Sequence, residues 1–117
     1  MGVIVFPWPP AVLSPNNRAH RFLKARAGKM YRSQCRLLSL HVKVQGEGPI
    51  PITITFRPPD RMRRDRDNML AAMKSGLDGL ADALKVDDER FELTIKRGEP
   101  VRGGWVEIEI GGGFAEG

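Results

Sequence analysis

The chain predicts an α+β fold, a mixed sheet with helices packed on it, and three observations carry that expectation. Ile52–Phe56 and Trp105–Ile110 alternate apolar and polar residues with a period of two, as half-buried strands do. Asn68–Leu84 instead sets Met69, Leu70, Met73, Leu77, Leu80, Ala81 and Leu84 at helical spacing, forming one apolar stripe. The chain's 117 residues suit one domain, so these strands and helices must share one core.

Gly2–Phe6 (GVIVF) reads as a short buried strand, stopped by Pro7-Trp8-Pro9-Pro10. Residues 7–29 read as irregular, with Pro15 and Asn16-Asn17 among them. Met30–Val44 reads as a helix, because Tyr31, Cys35, Leu38 and Val42 recur at spacings of three and four. Residues 46–49 are a turn. In Ile52–Phe56 the apolar side chains Ile52, Ile54 and Phe56 share one face, and Pro58-Pro59 closes the strand. Asp67 stands at the N-cap position of the helix Asn68–Leu84. Gly76 and Gly79 inside it each cost roughly 1 kcal/mol against alanine, which close approach of another backbone offsets. Phe91–Arg97 and Trp105–Ile110 alternate again, with Phe91, Leu93, Ile95, Val106, Ile108 and Ile110 inward, and residues 98–104 join them as a wide hairpin. The expected order is β-α-β-α-β-β. Residues 1–110 form the domain, and the glycine-rich residues 111–117 are expected to be a flexible tail.

Composition narrows the function classes. Hydrophobic residues at 41% and charged residues at 28% are ordinary for a soluble domain. No apolar run nears the ~18 residues of a membrane span, and the start lacks the basic region of a signal peptide. The single cysteine, Cys35, forms no internal disulfide and fits a cytoplasmic protein. The net charge of +5 hides a split: residues 1–66 carry +10 and residues 67–117 carry −5. A basic half points to a polyanion such as nucleic acid. A protein that only grips DNA has little use for the acidic half, whereas an enzyme that holds a cation beside a phosphate does.

The densest chemistry lies between a strand and a helix, in Asp60-Arg61-Met62-Arg63-Arg64-Asp65-Arg66-Asp67-Asn68. In an extended segment Asp65 and Asp67 point the same way, and two adjacent carboxylates repel unless a cation sits between them. Magnesium favours such oxygen ligands, and arginines bind phosphates bidentately, so the segment suits a metal-dependent phosphodiester hydrolase. The plainer reading has Asp67 as a cap only and Asp65 paired with Arg61 or Arg64. Asp87-Asp88-Glu89 is either a solvated loop or a second source of metal ligands. A helix over 68–84 is roughly 25 Å long. Asp67 and Asp88 can therefore share a metal only if the loop folds far back or a second subunit supplies Asp88. Lys74 lies two turns beyond Asp67, placed either to stabilise phosphate charge or to pair with Asp78. Residues 18–43 hold Arg18, Arg21, Lys24, Arg26, Lys29, Arg32, Arg36 and Lys43 with no acid, a surface for tracking phosphates. Trp8 stacks on a base or packs internally. His20 and His41 read as structural or exposed, and Cys35 as core.

Pro7-Trp8-Pro9-Pro10, Ser14-Pro15-Asn16-Asn17-Arg18, Arg63-Arg64-Asp65-Arg66-Asp67-Asn68 and Asp87-Asp88 together resemble the RusA family of Holliday-junction resolvases, over residues 3 to about 110. These are small dimeric endonucleases, magnesium-dependent and often encoded by prophages. The resemblance implies a homodimer that resolves four-way junction DNA in recombination and repair. It implies that Asp65, Asp67 and Asp88 hold Mg²⁺, with Asp87 beside them. Arg61, Arg63, Arg64 and Lys74 then neutralise phosphate charge, and Arg18, Arg21, Lys24, Arg26, Lys29 and Arg66 complete the DNA-binding set. The family carries a lysine four residues after the second aspartate. This sequence has Ala71 there, with Lys74 the nearest candidate, one turn on and about 60° round. The rival expectations are a basic DNA-binding protein without catalysis, gripping through residues 18–43 and 57–66, and a metal nuclease for other branched DNA.

Overall fold

A computed structural model describes residues 2–111 and 114–116. The chain runs β1 (Gly2–Pro7), α1 (Arg21–Leu38), β2 (Val42–Val44), β3 (Ile50–Arg57), α2 (Arg66–Leu84), β4 (Phe91–Arg97), β5 (Trp105–Ile110) and β6 (Phe114–Glu116). Short 3₁₀ turns lie at Ala11–Leu13 and Asp88–Arg90. Four strands make one mixed sheet in the order β1-β5-β3-β4. β5 runs antiparallel to both its neighbours, and β3 runs parallel to β4 with α2 as their crossover.

The register explains the core. Ile4, Ile108 and Ile54 stand side by side, and Phe6, Val106 and Phe56 form the next row on the same face. All six are buried in one cluster with Tyr31 and Cys35 of α1 and Met73 and Leu80 of α2. On the other face Val3 and Val5 are exposed, across from Glu109 and Glu107. The fold is therefore two layers, with both helices on one side of the sheet.

The helices meet closely. A Cβ at Gly79 would run into the Arg32 carbonyl oxygen and lie 3.0 Å from the Arg36 nitrogen, so only glycine lets the backbones approach. This is the packing the sequence anticipates for that residue. At Gly76 the added atom would meet side chains instead, Met73 Cε and Tyr31 Cε2, each at 2.8 Å. The Tyr31 hydroxyl donates to the Pro7 carbonyl at 2.6 Å, pinning α1 to the end of β1. Burial pushes the Cys35 thiol up to about 12, as expected of a core cysteine.

Several boundaries depart from the sequence expectation. The first helix spans 21–38, not 30–44. His20 Nδ1 accepts from the Phe22 amide at 3.2 Å and starts it early. Its first turns escape the periodicity argument because Phe22, Leu23 and Met30 are exposed rather than inward. Residues 42–44 are a strand paired with β6, which occupies part of the expected tail. Residues 112, 113 and 117 lie outside the described residues. The expected hairpin of β4 and β5 does not form. β3 lies between them, because β4 joins the sheet at its edge in parallel with β3. As an edge strand β4 leaves Leu93 40% exposed, so that residue is not core.

Candidate active-site clefts

The loop after β3 is held by its own charges. Asp60 Oδ1 accepts from the Met62 amide at 2.9 Å and from Arg64 Nη1 at 2.8 Å. The Arg64 bond holds the Asp60 carboxyl below its usual range. The Arg64 guanidinium lies over the Trp8 ring, 5.6 Å from its centroid, and Trp8 meets Phe56 edge-on. Arg97 donates to the carbonyls of Arg64 (3.3 Å) and Met62 (3.1 Å). Two arginines are thus spent on fixing the loop that leads into α2.

Asp65 is the last extended residue of that loop, at φ −76° and ψ 132°, and its Oδ1 accepts the Asp67 amide at 2.9 Å. It is Asp65, not Asp67, that caps α2. The helix starts at Arg66, so Asp67 already turns with it, and the extended-chain argument that aligned the two carboxylates does not apply. They face different clefts. Asp65 lines a cavity of about 210 Å³ with Trp8, Ser14, Asn16, Arg63 and Asn68. Asp67 lines a groove of about 430 Å³ between α2 and β4, together with Lys74, Asp78 and Asp88 over an apolar floor of Leu77, Phe91 and Leu93.

The far end of α2 brings Asp88 to this groove. Lys85 takes a left-handed conformation (φ 57°), and its amide bonds to the carbonyls of Ala81 and Asp82, which reverses the chain. Asp88 then begins the 3₁₀ turn that packs back on α2. Asp87 caps that turn, its Oδ1 accepting the Glu89 amide at 2.9 Å, and does not line the groove. Asp78 and Asp82 pair with Arg32, at 4.0 and 2.7 Å, and of the two readings of Lys74 the pair with Asp78 is not among the ion pairs of the described residues. Ala71 lines the same groove as Lys74. Among the described residues no three His, Cys, Asp or Glu side chains converge as a metal-holding group.

The basic residues divide into committed and uncommitted ones. Lys24 Nζ donates to the Ser14 carbonyl at 3.2 Å, and Arg61 meets Glu99 at 3.2 Å in an exposed pair. Arg18, Arg21, Arg26, Lys29, Arg63 and Arg66 are exposed. At 3.6 residues per turn, Arg21, Arg26, Lys29, Arg32 and Arg36 fall within about 140° of α1. Sequence reasoning missed Arg97. Its signal was a charge on the core-facing register of β4, across from Phe56. It also missed Arg57, which donates to Glu107 at 2.6 Å on the open sheet face.

No protein-family model matches the chain. An uncharacterized protein of Xylella fastidiosa is 40% identical over 96 residues, which are 78% of this chain and 63% of that protein, so the chain spans less than two thirds of this relative. Crossover junction endodeoxyribonuclease RusA of Escherichia coli O139:H28 is 32% identical over 116 residues, covering 92% of this chain and 91% of the relative. The proteins of that name from Escherichia coli K12 and Enterobacteria phage 82 are each 31% identical over the same share. The chain belongs to the RusA family. Among the described residues no helix is long and apolar enough to cross a membrane.

Proposed function

We propose that the chain is a Mg²⁺-dependent endodeoxyribonuclease that resolves four-way DNA junctions as a homodimer. The observation that carries this is the groove where Asp67, Lys74 and Asp88 meet, beside the Asp65 cleft, in a chain alike over nine tenths of its length to crossover junction endodeoxyribonucleases.

The donor set fits magnesium in kind. Asp65, Asp67 and Asp88 are exposed carboxylates outside every ion pair among the described residues, and oxygen donors are what Mg²⁺ prefers. One chain falls short in number, since no three acids converge. A second copy that contributes Asp88 to the Asp65–Asp67 end of α2 completes the set. Such a copy also has apolar surface to cover, because Leu23, Met30 and Leu37 are exposed on α1 at spacings of seven. When bound, the ion supplies Lewis acidity toward the scissile phosphate. Lys74 neutralises charge on that phosphate from the groove wall. Arg63 and Arg66 hold flanking phosphates. The basic arc of α1 tracks a duplex arm, and the exposed Arg61–Glu99 pair is weak enough to be exchanged for a phosphate contact.

The test is cleavage of a synthetic mobile junction beside a linear duplex as Mg²⁺ is titrated. Paired cuts in the junction alone are expected. Binding of both DNAs without metal-dependent cutting would replace the nuclease reading with that of a DNA-binding protein. Mixing an Asp65→Asn chain with an Asp88→Asn chain tests the shared site. Heterodimers regain one intact site and nick if the ligands come from two subunits, and stay inert if they come from one.

A further inference from the structure

The cleft beside Asp65 holds polar groups that the fold does not use. Among the described residues the Ser14 hydroxyl, the Asn16 and Asn68 carboxamides and the Arg63 guanidinium line it without a hydrogen bond to any protein atom. The neighbouring Asn17 differs, since its Oδ1 is spent on the Ala19 amide at 2.8 Å. Trp8, Pro9, Pro10, Ala11, Met69 and Ala72 line the rest of it with apolar groups. The Arg64 guanidinium over Trp8 adds a cationic plane to the same wall.

A cleft that offers an aromatic ring, an arginine and unspent carboxamides suits a planar ligand with a donor–acceptor rim. Nucleobases have that shape. They stack on aromatic rings and arginine planes, and carboxamides pair bidentately with their edges. A base inside a duplex stack cannot enter such a cleft, but one unpaired at a branch point can.

We propose that this cleft receives an unstacked nucleobase of the strand cut beside Asp65, and that Asn16 and Asn68 read its polar edge, so that these two residues determine where along a junction the chain cuts. The inference rests on the nuclease reading above and adds how that site chooses its position. Arg63 holds the phosphate of the seated nucleotide. Asn16 and Asn68 act as specificity-determining residues and take no part in the chemistry.

The experiment maps cuts on a mobile four-way junction whose crossover migrates through varied sequence. Wild type is expected to concentrate its cuts at a few positions. Asn16→Ala and Asn68→Ala are expected to lower the ratio of favoured to disfavoured cuts about tenfold each, the order of one bidentate base contact. An even fall at every position, or an unaltered distribution, overturns the proposal. A second measurement needs no cleavage: 2-aminopurine is placed at successive positions around the crossover and the protein is added in EDTA. Fluorescence should rise at one position as that base leaves the stack, and less so with the doubly substituted chain. The absence of any rise overturns the proposal even if wild type cuts junctions, and the nuclease reading then stands. A rise without any cutting in Mg²⁺ retains the base cleft and removes the nuclease reading.

Discussion

Asp65 caps α2 and is proposed here as a metal ligand, and substitution can separate the two roles. Its carboxylate caps α2 through one exposed bond to the Asp67 amide at 2.9 Å. We also assign it to the metal. Asparagine caps as well as aspartate, so Asp65→Asn loses only the interaction of its charge with the helix dipole, about 0.3–1 kcal/mol. Asp65→Ala loses the cap bond as well, about 1 kcal/mol in total with a range of about 0.5–2. In a domain of this size 1 kcal/mol moves Tm by roughly 4 °C. Thermal melts should therefore order wild type, Asp65→Asn and Asp65→Ala within several degrees, all folded at 25 °C. Cleavage of a four-way junction in Mg²⁺ should not follow that order. Both variants should fail to cut, and Asp65→Asn should still bind the junction. If Asp65→Asn cuts at the wild-type rate, the metal assignment is wrong. If Asp65→Ala melts with wild type, the cap reasoning is wrong.

Gly79→Ala should destabilise by about 1–3 kcal/mol, read as a lower urea midpoint, because overpacking against the α1 backbone outweighs the ~1 kcal/mol helix gain. Gly28→Ala, which meets the movable Ser75 Oγ at 3.0 Å, serves as the contrast and should be neutral or stabilising. Cys35, with its thiol pushed up to about 12, should resist alkylation at pH 8 until denaturant is added, and rapid labelling of the native protein would contradict its burial. Glu107, held low by Trp105 and Arg57, and Asp82, held low by Arg32, favour the fold above their unfolded values near pH 4. That support is lost as pH falls through their lower folded values. Urea midpoints should drop below about pH 4, and Glu107→Gln should flatten the drop. Arg97→Leu, which frees the carbonyls of Met62 and Arg64, should slow junction cleavage more than it lowers Tm, and equal activity would remove its positioning role.

What the sequence made legible follows from where side chains pack. Ile52, Ile54, Phe56, Val106, Ile108 and Ile110 alternate because one sheet face is buried and the other is not, and all six are core. Gly79 was readable because a glycine inside a helix costs stability and needs a packing reason. Strand neighbours were not readable, since β4 and β5 are joined by a short loop and adjacency in sequence says nothing about a parallel partner on the other side of β3. The start of α1 was hidden because its outer residues Phe22, Leu23 and Met30 are apolar yet exposed, which erases the contrast that periodicity needs.

The candidate aspartates could be picked out from the sequence because they cluster among arginines, although Asp60, Asp65 and Asp87 also serve the fold as a loop anchor and caps. Their directions could not, because the helix begins at Arg66, where the Asp67 amide donates to the Asp65 carboxylate, and residue 67 is helical rather than extended. The two carboxylates line different clefts. After the reversal at Lys85, Asp88 lines the same groove as Asp67. Asp67 and Asp88 of one chain line the same groove, while Asp65 stands in the other cleft. The one-chain and two-chain arrangements therefore differ in whether the Asp65 and Asp88 of one site belong to the same subunit, and the pairing of Asp65→Asn with Asp88→Asn tests that point.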